Sequence, residues 1–204
     1  MTESPPHSPG RIRRTRARTA ILIAGIAAAF AVTFAGTAIA RGHGHRCKWE
    51  NSHASRVGVN RVRHAVLCLI NRERSAHGLP ALHASGALNS SAQNWANRMV
   101  ATGNSGGGDL AAQISAAGYN WAQAGQVVGS GFATASKMVA GWMGDPGHCD
   151  VILDPIYRNV GTGVNAHAVA GSWRKGATFT EDYGLSMGQS PASGNWGPAD
   201  GCPH

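Results

Sequence analysis

Charge is scarce in this 204-residue chain: only 14% of its residues are Asp, Glu, Lys or Arg, and only ten are acidic. That sets it apart from disordered chains, which combine high charge with few apolar side chains, because 43% of this one is hydrophobic and six residues are Trp. Cysteine is limited to four, and no Cys-x-x-Cys pair exists, which removes the usual zinc-knuckle spacing. Long apolar runs are lacking after residue 40, and no internal repeat is present. With 28 glycines the chain reads instead as one compact, loop-rich domain with appendages.

The net charge of +8 suggests a nucleic-acid partner until it is divided by position. Arg11, Arg13, Arg14, Arg16 and Arg18 crowd the first eighteen residues, opposed there only by Glu3. Without them, residues 41–204 hold 13 basic against 9 acidic side chains, which is too mild for a polyanion partner. No nucleic-acid binding is expected.

An uncharged run from Thr19 to Ala40 follows those arginines and closes on Ala38-Ile39-Ala40, the small-x-small pattern that a signal peptidase accepts. Residues 1–40 therefore read as a signal peptide and the protein as secreted. The competing reading is a membrane anchor formed by residues 19–40, if that bond is not cut. Cleavage would make Arg41-Gly42-His43 the new terminus, a sequence able to wrap Cu(II) or Ni(II) through its amine, amides and imidazole. The alternative for that motif is a solvated, disordered leader.

Cys47, Cys68, Cys149 and Cys202 all follow the signal, so two disulfides are expected outside the cytoplasm. Of the three connectivities, Cys68 with Cys149 and Cys47 with Cys202 is preferred, because the first pair falls in the periodic body and the second in the irregular ends.

The body reads as helices first and strands later. Val62, Val66, Leu69 and Ile70 recur at helical spacing until Gly78-Leu79-Pro80. Leu88, Ala92, Trp95, Ala96 and Met99 form a second stripe, between Ser85 as cap and Gly103 as stop. A third stripe, Ala135, Met138, Val139, Trp142 and Met143, follows Thr134 and ends in Gly144-Asp145-Pro146-Gly147. Gln126-Val127-Val128 suits a strand, and Val160 to Ala166 with Ala177 to Leu185 suit a hairpin. The expected class is α+β, with helices layered on a small antiparallel sheet.

Leu69-Ile70-Asn71-Arg72-Glu73-Arg74, His77-Gly78-Leu79-Pro80-Ala81-Leu82 and the Trp95-Ala96 helix together resemble the opening of a CAP domain, the superfamily of cysteine-rich secretory, antigen 5 and pathogenesis-related proteins, also called the SCP domain. Ala124-Gly125-Gln126 falls where that family has Gly-Glu-Asn. Trp142-Met143-Gly144-Asp145-Pro146-Gly147-His148 is similar to its bacterial Trp-Met-x-Ser-Pro-Gly-His stretch, and Val160 to Val164 with Phe179 to Gly184 resemble its last strands. The resemblance implies a three-layer αβα sandwich over residues 61–186. A basic Gly/His-rich leader at 41–60 and a Gly/Pro-rich tail at 187–204, pinned by Cys202, would flank it.

The family cavity often carries two His and two acids able to hold a divalent cation. By resemblance, His148 matches the second His, whereas Asn104 to Asp109 offers no counterpart of the first. Gln126 stands in place of the Glu, and its amide supplies neither a carboxylate ligand nor a general base. Asp145 is the acid nearest His148 in sequence. His148, Gln126 and Asp145 are therefore expected as cavity residues, with no catalytic set, metal or cofactor. Gly103-Asn104-Ser105-Gly106-Gly107 satisfies Gly-x-Ser-x-Gly, but a helix precedes the Ser and more glycine follows, so no nucleophile elbow is expected.

The resemblance implies an extracellular binding protein for a lipid, a sterol, or a cell-wall or cell-surface partner, with a membrane involved only if the signal persists. The alternative is an extracellular hydrolase or metal-dependent peptidase that uses His148 and Asp145.

Overall fold

A computed structural model describes residues 46–172, 175–191 and 202–203. The signal or anchor segment and the Arg41-Gly42-His43 motif lie outside the described residues, as does most of the tail. In chain order the elements are α1 (Ala54–Val57), α2 (Val59–Ala76), β1 (His83–Ala84), α3 (Gly86–Thr102), α4 (Leu110–Ala116), β2 (Trp121–Phe132), α5 (Ala135–Met143), α6 (Pro146–Leu153), β3 (Asn159–Asn165) and β4 (Ala177–Ser186). No helix among the described residues is long and apolar enough to cross a membrane.

Local chemistry sets most helix starts. Ser85 Oγ accepts from Leu88 N, Asp109 Oδ1 from Ala112 N, Thr134 Oγ1 from Lys137 N and Asp145 Oδ1 from His148 N. Each satisfies an amide that the first turn leaves orphaned, which contributes about 1 kcal/mol per cap. Gly103 ends α3 at φ 73°, a left-handed value that favours glycine.

The four strands run in the order β1-β3-β4-β2. β4 pairs antiparallel with both β2 and β3, which forms the expected hairpin. The sheet is not wholly antiparallel, because two-residue β1 lies parallel to β3 at its edge. Side chains alternate along central β4, so Phe179, Glu181 and Tyr183 point to one face, and Thr178, Thr180 and Asp182 to the other. The first face meets α2, α5 and α6 in the main core, where Ile70, Trp142, Ile152, Phe179 and Tyr183 are buried. The second face meets α3, whose Met99 sulfur lies 3.8 Å from Thr180 Oγ1. Gly161 and Gly163 let α3 rest on β3, since a Cβ on either would overlap the backbone at Leu88 or Ala92. These are the layers of an αβα sandwich.

Beyond β1, the edge of β3 has no strand partner among the described residues. Asn89 and Gln93 of α3 replace it: Asn89 Oδ1 accepts from Thr162 N at 2.9 Å, and Gln93 brackets Val164 through its N–H and C=O. Arg63 of α2 donates to Thr162 O at 2.7 Å. An edge satisfied this way offers little to a foreign strand.

The expected disulfide pairing is overturned. Cys47 bonds Cys68 and Cys149 bonds Cys202, with no free cysteine among the described residues. Separating body from ends by sequence misled, because each bridge ties an irregular segment to the helix beside it. Cys47 joins a turn to α2, and Cys202 is stapled to α6, where Cys149 is wholly buried. Loop separations of 21 and 53 residues correspond to about 3 and about 4 kcal/mol in the chain-entropy model. Residues 47–57, expected as leader, pack on the domain: Cys47 and Ala54 are buried, and Lys48 and Arg61 both lie over the Trp49 ring.

Candidate functional site

The structure divides the three expected cavity residues into two sets. Asp145 caps α6 and His148 stands in its first turn, with Nδ1 2.8 Å from Asp145 Oδ1. The imidazole is about one-third exposed, and Asp145 about half. Its carboxyl is held below the usual range, first by the hydrogen bond from the His148 backbone N–H. Capping therefore engages the carboxylate oxygen that faces His148.

Gln126 lies on β2, facing α3 and α4, whereas α6 packs on the opposite face of the sheet. Its Nε2 donates to Asp182 Oδ1 at 2.8 Å and to Gln113 Oε1 at 3.2 Å. Among the described residues no hydrogen bond or ion pair joins His148 to Gln126. The sequence reading missed Asp182 and Gln113. The only signal was the adjacent pair Glu181-Asp182 inside a strand-like segment, where one acid must face each side of the sheet.

Asp182 is wholly inaccessible. Burial pushes its carboxyl up to about 6, against the Ser91 hydroxyl and the Gln126 amide, which favour the charged form. Beside this network lies the glycine-rich loop from Asn104 to Asp109. Trp95 Nε1 donates to Gly106 O at 3.2 Å, and Gly106 N donates to Asn104 Oδ1 at 2.9 Å. A Cβ at Gly107 would lie 3.2 Å from Gln126 Oε1, and one at Gly108 would overlap the Trp95 ring. Glycine thus lets the loop settle directly on Trp95 and Gln126. Ser105 belongs to this exposed loop, between α3 and α4, and not to an elbow.

Residues 67–183 match the model of the cysteine-rich secretory protein family, CAP, which is more than half of the chain. The chain belongs to the CAP family. The CAP fold agrees with a solved structure at low identity. An extracellular SCP-domain protein from Bacillus anthracis superposes with a TM-score of 0.53 at 17% identity, over 62% of this chain and 41% of its own. A cysteine-rich secretory protein from Staphylococcus aureus gives 0.49 at 16% identity, over 61% and 38%, and an outer surface protein from Borrelia burgdorferi gives 0.49 at 15%, over 59% and 90%. The CAP chain thus spans about two fifths of the first two. A search of curated proteins gives no match.

The cation that CAP cavities often hold does not fit this donor set. Gln126 is an amide whose NH2 is engaged by Asp182 and Gln113, and the Asp145 oxygen beside His148 already caps a helix. Among the described residues no group of three His, Cys, Asp or Glu could close around an ion.

Proposed function

We propose that this CAP domain is an exported binding protein that holds an amphiphile or a cell-surface partner without transforming it. The observation that carries the reading is Gln126: a side chain that cannot ionise stands at the family's acidic position, and its amide hydrogens are committed to Asp182 and Gln113. The two disulfides fit an oxidising compartment outside the cytoplasm.

A groove between α2 and α5, of about 370 Å³, supplies a place for an apolar chain. Leu69, Val139 and Met143 wall it, and Arg72 and Glu73 stand at its rim. Its size is at the lower end for ligand sites, suited to a single acyl chain beneath a polar head. Native mass spectrometry of the protein after incubation with a bacterial lipid extract tests this. Retained lipid that is lost in Ala140→Trp, at the exposed groove wall, supports the reading; retention unchanged by that substitution, or none, counts against it.

The second reading, a hydrolase, rests on the 2.8 Å approach of Asp145 to His148, because an acid behind an imidazole is how many general bases are oriented. It requires turnover that His148→Ala abolishes.

A further inference from the structure

A cleft of about 250 Å³ opens where α2 and α3 grip the free edge of β3, on a part of the domain that neither the Gln126 network nor the α2–α5 groove uses. Asn60, Arg63, His64 and Asn89 line it with polar groups, and Leu67, Ala84 and Val160 with aliphatic ones. None of the described residues that line it is acidic.

The hydrogen bonds already made leave mainly donors. Asn89 Oδ1 accepts from Thr162 N, and Asn60 Oδ1 accepts from Arg63 Nη1 at 3.3 Å. Both amides are thereby oriented, and their NH2 groups have no partner among the described residues. Of the five N–H groups on the Arg63 guanidinium, one goes to Thr162 O, one to Asn89 O at 3.2 Å and one to Asn60. One N–H remains on each terminal nitrogen, enough for the two oxygens of a carboxylate.

The Arg63 guanidinium forms no ion pair among the described residues. Glu181 lies behind Thr162, wholly buried, with Oε2 accepting from Thr162 Oγ1 at 2.9 Å and Oε1 without a partner. Burial raises its carboxyl well above the ordinary range and favours the neutral acid, while burial of Arg63 disfavours its charge. An anion entering the cleft restores the balance.

We propose that this cleft binds a small carboxylate with a short aliphatic portion, the carboxylate meeting Arg63, Asn60 and Asn89 and the aliphatic part lying on Leu67, Ala84 and Val160. The size of the cleft, below that of most drug-sized sites, selects a small acid over a polymer.

The test is an NMR titration of the protein with acetate, butanoate and hexanoate, alongside hexanamide and inorganic phosphate. Hexanoate is expected to shift the side-chain signals of Asn60, Asn89 and Arg63 saturably, and to bind at least tenfold more tightly than hexanamide. Ala84→Phe, which fills the cleft from an exposed position, and Arg63→Gln are each expected to weaken hexanoate at least tenfold. The first variant keeps the test valid if loss of Arg63 loosens the β3 edge. Equal binding of hexanamide, tighter binding of phosphate, no saturable shift, shifts confined to Val139 and Met143, or an unchanged Ala84→Phe titration would each overturn the proposal.

Discussion

Replacing Asp182 with Asn isolates the cost of burying an acid beneath the glycine loop. Asn keeps an oxygen to accept from Gln126 Nε2 and removes the ionisation. The native carboxyl titrates at about 6 against an ordinary 3.8, a difference of about 2 pKa units, or about 3 kcal/mol at 1.36 kcal/mol per unit. The sign follows from proton binding. Between those two values the folded protein holds more protons than the unfolded chain, so stability falls as pH rises through the window and levels off above it. Asp182→Asn should match the wild type near pH 3.5 and be more stable by about 3 kcal/mol at pH 7.5, about 6 to 12 °C in Tm for a domain of this size. Urea unfolding at half-unit pH steps, with disulfides intact, gives the difference curve. A variant equal to or weaker than wild type at pH 7.5, or a difference independent of pH, would show that burial of the Asp182 carboxyl carries no such cost.

Arg74 is wholly buried and donates to Pro80 O, Ile152 O and Asp154 O, tying α2 to the end of α6. Arg74→Ala orphans three carbonyls and should cost at least about 3 kcal/mol in urea unfolding. Gly163→Ala drives a Cβ into the backbone at Ala92 and should cost about 3 kcal/mol or lose soluble protein, whereas Gly86→Ala, in open space, should cost less. Peptide mapping without reduction should recover Cys47–Cys68 and Cys149–Cys202 linked peptides, and Cys149→Ala with Cys202→Ala should lose about 4 kcal/mol.

The α3 helix was legible because its cap, stripe and left-handed stop all lie within the segment itself. The start of α6 was not, although its signal is local: Gly144-Asp145-Pro146-Gly147 reads as a breaker, yet Asp before Pro is also an N-cap followed by a favoured first helical residue. β2 extends well beyond Gln126-Val127-Val128 because its Ala and Gly residues carry no strand propensity, and pairing with β4 holds them extended. Gln126 was identified by family resemblance. Its partners were hidden, since neither the burial of Asp182 nor the reach of Gln113 exists until the strands and α4 are assembled. The disulfide pairing failed for the same reason.

The proposal that this CAP domain binds without catalysing gives a role to an amide, Gln126, that cannot ionise. Its most direct test is a turnover assay of wild type and His148→Ala side by side, on peptide and cell-wall glycan substrates with added divalent metal. No hydrolysis is expected to distinguish the two proteins. Hydrolysis by the wild type that disappears with the imidazole would contradict it.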